Sequence, residues 1–355
     1  MKSLIIDTHE ALTKIYPLKY FVRDCVKDNI TTTIEEASNT LVKRISEEKN
    51  IPHTFKSFKL NKRGAEYTIQ FLQDLDIINK NNLLTSKGIV FKHFTESSSD
   101  KIYFDKKEKY VFFKYLLNRN FAYIFACMKY IDENKPFNLD TDFLRSQESM
   151  KIIESAAKIA LKLSENKNER NHAIRILNFL QKNKILDTNT KTFYYGYSYK
   201  TRVHKVLPIF SLLSEIGIIS SYKEENKVIN SNYTDIFFDC FPTEKEFKIA
   251  YDRKIIDKHI TLILNSEKEE IDENALWDQI INTFNLIKNP QRNTCYLEAL
   301  VDISIVNILF ETDEKYSVTA KKIYDYLWEK NRKDNRIQVL PDRWGRPTYF
   351  HYKSR

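Results

Sequence analysis

The sequence predicts a mainly helical fold with short β-hairpins, an α+β class, on three observations. Only five glycines and eight prolines occur in 355 residues, far below the roughly 12 % of average usage. Folds that use glycine freely, such as sandwiches, propellers and phosphate-cradling α/β enzymes, therefore lose support. Apolar residues recur at helical spacing in several windows. No GxGxxG or GxxxxGK[ST] loop occurs, so nucleotide binding by either standard loop has no sequence basis.

Composition sets further bounds. At 42 % hydrophobic and 13 % aromatic residues the chain can bury large cores despite 30 % charged residues, and its length suits two to four compact units at roughly 100 to 200 residues each. Cys25, Cys127, Cys240 and Cys295 form no CxxC or CxxH pair, so neither a zinc site nor a redox motif is predicted. The seven histidines show no HExxH pattern. Met1 to Lys14 carries Asp7 and Glu10 and does not read as a signal peptide. The longest apolar run, Phe121 to Met128, is far short of the roughly 20 residues of a membrane span. The expectation is a soluble, cytoplasmic protein without a membrane partner and without a cofactor.

Taken in order, the first helix is predicted from about Lys62 to Leu75, with Ala65, Ile69, Leu72 and Leu75 inside and Arg63, Tyr67 and Gln70 outside. Ile77-Ile78, a polar turn over Asn79 to Asn82 and the return Leu83 to Gly88 follow as a hairpin. A helical stretch over Tyr110 to Tyr130 comes next. Asn171 to Ile185 predicts a helix with Ile174, Ile176, Leu177, Leu180 and Ile185 inside. Ser198 is placed to cap a helix with Val203, Val206, Leu207, Phe210 and Leu213 on one face, which stops at Gly217. Ile218 to Tyr222 and Val228 to Tyr233 then read as two strands around a polar turn. After a break at Asn289-Pro290, a helix is predicted from about Thr294 to Phe310, and another, capped by Ser317, runs through Trp328. Arg336 to Leu340 and Thr348 to Tyr352 form the last hairpin.

The net charge of +9 is uneven. Residues 55–63 carry +4, residues 189–205 carry +4 and residues 330–355 carry +6, leaving −5 elsewhere. Each basic stretch adjoins a helix followed by a hairpin. This order resembles winged-helix DNA-binding proteins, seen three times over about 180 residues, and tandem units of this kind also occur in the recognition regions of some restriction endonucleases.

The resemblance implies winged-helix units at residues 1–95, 151–240 and 290–355, joined by helical connectors at 96–150 and 241–289. It implies binding of double-stranded DNA through Lys62, Arg63, Tyr67 and Gln70, through Lys200, Thr201, Arg202, His204 and Lys205, and through Arg336, Arg343, Trp344, Arg346 and Lys353. A regulatory or restriction and antiviral-defence component, with a protein partner supplying catalysis, is the corresponding role. Two alternatives stand beside it. One is a protein-interaction scaffold whose basic faces meet an acidic partner or the chain's own residues 267–278. The other is a Mg²⁺-dependent nuclease, with Asp239 (or Asp235), Glu246 and Lys248 as the acid pair and lysine that position a metal and a water. The aromatic run Phe193, Tyr194, Tyr195, Tyr197 and Tyr199 offers stacking for single strands but is read as core.

Overall fold

A computed structural model describes residues 15–26, 30–48, 60–134, 137–138, 148–189, 193–195, 199–219, 228–229, 232–265, 268–311 and 315–353. At 137–138, 148, 193–195, 199–205, 207, 228–229, 232–233 and 265 the description covers the backbone alone.

Helix α1 (Tyr16–Tyr20) runs into a π-helical turn (Phe21–Cys25), followed by α2 (Ile34–Glu47) and α3 (Lys62–Asp74). A capping box starts α2: the Glu36 N–H donates to the Thr33 hydroxyl at 3.2 Å and the Thr33 N–H to the Glu36 carboxylate at 2.8 Å. Helix α3 buries Ala65, Ile69 and Leu72, with Leu75 beneath its end, as its spacing predicts. The hairpin expected over Ile77 to Gly88 reduces to one antiparallel bridge, Ile78 to Leu84. Its return is helical, because the Thr85 hydroxyl accepts the Gly88 N–H at 3.2 Å and caps α4 (Ser86–Ser97). Glycine is required there: a Cβ on Gly88 would lie 2.1 Å from the Ile77 carbonyl oxygen.

Helix α5 (Lys106–Glu133) kinks at Asn120 (φ −133°, ψ 30°) and is buried along most of its length. It packs on α4 and on α6 (Glu148–Leu163), and β1 (Phe137–Asn138) lies between α5 and α6 in the chain. Helix α7 (Lys167–Lys182) buries Ala173 and Leu180 only, so its predicted inner face is corrected: Ile174 is exposed. Ile185, predicted inside as well, is exposed in the antiparallel pair β2 (Lys184–Leu186) and β3 (Phe193–Tyr195). In α8 (Tyr199–Glu215), Val206, Phe210 and Leu213 are buried as predicted. Gly217, at φ 83°, ends it in a Schellman motif whose Ile218 N–H donates to the Leu213 carbonyl at 2.9 Å. Of the strand pair expected over residues 218–233, residues 220–227 and 230–231 lie outside the described residues. Among the described residues β4 (Val228–Ile229) pairs antiparallel with β1, Ile229 opposite Phe137, so its partner lies in the stretch predicted to be a purely helical connector.

The last part comprises α9 (Asn232–Cys240), α10 (Glu244–Asp252), α11 (Ile256–Asn265), β5 (Glu269–Glu270) and α12 (Glu273–Ile287), then β6 (Thr294–Tyr296), α13 (Leu297–Glu311), β7 (Tyr316–Ser317), α14 (Ala320–Lys333), β8 (Ile337–Pro341) and β9 (Pro347–Tyr352). Two predicted helix starts shift. Thr294 to Tyr296 is a strand, and α14 is capped by Thr319, not Ser317, which pairs in β7 with the parallel strand β5. Strands β6, β9 and β8 form an antiparallel sheet in that order, and from α12 onward the chain reads helix, strand, helix, strand, helix, strand, strand, with β7 paired to β5 outside that sheet.

Among the described residues the buried apolar side chains make one contiguous cluster, and α5 touches α4, α6, α8, α9, α11 and α13. The expected connector is therefore the axis of the core. At its middle the Lys114 ammonium lies 2.6 Å from Asp257 of α11 and 2.8 Å from Asp302 of α13. The hydroxyls of Tyr110 and Tyr115 donate to Asp257 and Asp302, each at 3.1 Å. Burial alone would lower the pKa of Lys114; the two carboxylates outweigh it and hold the ammonium above the ordinary lysine range. A second ion pair, Lys19 to Glu108 at 2.7 Å, is fully buried and ties α1 to α5.

Replacing Lys114 by Ala leaves two carboxylates buried without their cation, and is expected to cost about 3 to 5 kcal/mol. Lys129→Ala, at an exposed site on the same helix, should stay within about 0.5 kcal/mol; urea unfolding of both variants checks the contrast. Gly88→Ala should lower stability by about 1 to 3 kcal/mol through forced displacement of the Ile77 backbone, read in the same assay.

Candidate nucleic-acid interface

The β8–β9 turn is built by one carboxylate. Asp342 accepts the N–H groups of Trp344 and Arg346, each at 2.9 Å, and its own N–H donates to the Arg346 carbonyl at 2.8 Å. Gly345 takes φ 78°, the left-handed region a turn of this kind needs. The loop thus presents Arg343, Trp344 and Arg346 at its tip. The Arg343 guanidinium lies 3.8 Å from the centre of the Trp344 ring, and Trp344 is 65 % exposed. Among the described residues no carboxylate forms an ion pair with Arg343 or Arg346, since Asp342, the nearest acid in sequence, faces the backbone of its own turn.

Helix α14 differs from the expectation of a basic N-terminal turn free to meet DNA. Lys321 pairs with Asp325 and Lys333 with Glu329. Lys322 donates to the Ile271 carbonyl at 2.8 Å and lies 3.2 Å from Glu270, so part of the basic face meets the chain's own acidic stretch. The remaining basic character of α14 gathers at its C-terminal end around Arg332. Arg336 and Lys353 sit together at the base of the hairpin, where the Lys353 N–H donates to the Arg336 carbonyl at 2.9 Å. Arg336 is held by Asp334 at 2.6 Å, and its hydrogen bonds are the main cause holding that carboxyl near a pKa of about 2. The hairpin therefore separates the five C-terminal site residues into a tip of three and a base of two.

Register also places an aromatic pair that sequence reasoning missed. Cys295 stands opposite Phe350 and both are buried, so Tyr296 and Tyr349, the next pair, occupy the outer face of the sheet. Their ring centres are 5.2 Å apart at 34°. They floor a groove of about 710 Å³ walled by α4, which supplies Lys92 and His93, and by the turn after α12, which supplies Arg292. Asn289 shapes that turn by accepting the N–H groups of Gln291 and Arg292 at 3.0 Å. Burial keeps His93 below its ordinary pKa. The only signal that could have found this pair is the alternation in Thr294-Cys295-Tyr296, hidden by the stronger helical pattern that follows it.

The other predicted residues are dispersed. On α3, Lys62 pairs with Glu35 at 2.5 Å, Arg63 donates to the Tyr67 hydroxyl at 2.8 Å, and Gln70 is exposed. Lys200, Thr201, Arg202, His204 and Lys205 lie on α8 where only the backbone is described, and Tyr197 lies outside the described residues. Glu246 takes the Thr243 hydroxyl at the start of α10, Lys248 is shared by Asp252 at 2.8 Å and Glu165 at 3.0 Å, and Asp239 is exposed on α9. Among the described residues no group of three His, Cys, Asp or Glu side chains is arranged to hold a metal, and no helix is long and apolar enough to cross a membrane.

The Asp334 carboxyl is expected to titrate at about 2 by NMR. Its folded pKa lies below the ordinary 3.8, so the pair's contribution is complete above that value and is lost as pH falls through about 2. Arg336→Ala should return the midpoint toward 3.8; an unchanged midpoint would show that Arg336 is not its partner in solution. Comparison with protein-family models, curated proteins and solved structures found no match to this chain.

Proposed function

We propose that the chain binds double-stranded DNA through residues 273–353, folded as a winged-helix unit in which α14 lies against the duplex and the β8–β9 turn reaches an adjacent phosphate or the minor groove. The order α12, β6, α13, β7, α14, β8, β9, in which β6, β8 and β9 form a sheet of order β6-β9-β8 and β7 stands outside it, supports this reading. It brings the helix before the hairpin and the hairpin turn onto one supersecondary frame. The observation that carries the reading is the hairpin tip, where two arginines without carboxylate partners flank an exposed tryptophan. Cations left uncompensated attract an anionic polymer and release its counterions on contact.

The paired charges along α14 favour backbone contact over base reading by its N-terminal turn. The Arg332 end and the hairpin tip supply the attraction, and this points to binding governed more by shape and phosphate than by a long base sequence. The face of α3 with Arg63 and Gln70 is a second, smaller contact on this reading.

Fluorescence anisotropy with a labelled duplex over a salt series tests it. Arg343→Ala with Arg346→Ala should weaken binding and lower the salt slope by about 2, roughly 1 for each phosphate contact removed. Melting temperature should hold, because both side chains are exposed. No complex at low salt, or an unchanged slope in the double variant, would overturn the reading.

A further inference from the structure

The groove over Tyr296 and Tyr349 has a composition that sheet packing does not require. A cross-strand tyrosine pair stabilises a sheet by itself, and the outer face of a small sheet is ordinarily left to solvent. Here that face is roofed on one side by α4 and on the other by the turn after α12, enclosing about 710 Å³, within the range of sites that hold small organic ligands. Tyr296 remains 39 % exposed at its floor. The charged residues that line it are Lys92, Glu96 and Arg292, two cations to one acid. Lys92 lies 3.8 Å from Glu96, whereas Arg292 has no carboxylate partner among the described residues. Its guanidinium is the one uncompensated charge of the lining.

Flat aromatic surface beside a guanidinium matches a planar ring that carries an anion. An apolar ligand would desolvate the Arg292 guanidinium without giving it a partner, and among the described residues a metal ion lacks its ligands here. We propose that this groove binds a nucleobase with its phosphate, the base stacking on Tyr296 and Tyr349 and the phosphate held by Arg292. Stacking on tyrosine accepts every base, because each has a π-face. The site is separate from the hairpin tip and does not depend on duplex binding there. Its base and phosphate come either from a free nucleotide or from an unpaired strand.

Anisotropy with a labelled oligothymidylate of eight residues, competed with adenosine monophosphate, separates those two sources. Tyr296→Ala with Tyr349→Ala should weaken the binding about tenfold, Arg292→Ala should weaken it as well, and Tyr296→Phe with Tyr349→Phe should retain it. An oligonucleotide that binds with this pattern and is not displaced by the mononucleotide assigns the groove to a strand. Displacement with the same pattern assigns it to the free nucleotide. The proposal is overturned if neither probe binds, or if both bind the alanine and Arg292 variants as they bind the unaltered protein. Duplex affinity measured on the same proteins keeps the two readings apart: it should follow Arg343 and Arg346 and ignore the groove variants. The phenylalanine pair and Arg292→Ala carry the test if the alanine pair lowers the melting temperature.

Discussion

One ammonium group holds the architecture together. Lys114 projects from the central helix to Asp257 and Asp302 on two other helices, and Asp257 also faces the first backbone N–H of α14, at 3.4 Å. Removing three ions from water costs several kcal/mol for each, and mutual attraction only offsets that cost when the geometry and hydrogen bonding are complete. Here they are supplemented by two tyrosine hydroxyls. Such a cluster adds little net stability over a well-packed apolar one, but it tolerates one arrangement of the four helices. Its effect is orientation: the helix that precedes the hairpin starts at the same carboxylate that binds the core.

The groove inherits its shape from that arrangement. Helix α4 packs on α13, where Ser86 donates to Glu298, and α13 also carries Asp302. The sheet is fixed to the same helix through β6, which precedes α13 without a break, and by Phe284 of α12 packing edge-on against Phe350 at 5.4 Å. Both walls of the groove therefore rest on one buried helix. Its opening is a consequence of helix packing in the core, and substitutions at Lys114 should be felt at the surface for that reason.

Much of this was readable in the sequence where one physical signal dominated. The period-3.6 spacing of Ala65, Ile69 and Leu72 reflects burial of one helix face, and the structure buries each of those residues, whereas α13 is buried on nearly every side. The β8–β9 hairpin was legible because strand-like runs flank a turn rich in Pro, Asp and Gly. Strand β6 was not, since three residues adjoining a helix give no period of their own. The core ions were equally hidden: on a helical pattern Lys114 and Asp302 read as outer positions, and only the packing of other helices over them makes them inner. Ile174 fails in the opposite sense, an apolar residue at helical spacing that stays 39 % exposed. The scarcity of glycine has its counterpart in the backbone, where Asp76, Asn82, Lys254 and Asn293 occupy left-handed positions that glycine usually takes.

Charge shows most clearly why a linear count and a folded surface differ. The three basic stretches look alike in sequence, yet Lys62, Lys333 and Arg336 each meet a carboxylate within reach of their own helix, neighbouring helix or turn. Such exposed pairs contribute little to stability, but they remove the field that would draw an anionic partner. What distinguishes Arg343 and Arg346 is the fate of Asp342. Its carboxylate accepts two backbone N–H groups of the turn, and an acid committed to the backbone is poorly placed to reach the arginines beside it. The turn chemistry that shapes the hairpin is thus the same chemistry that leaves its tip positively charged, so conformation and electrostatics at this site have a single cause.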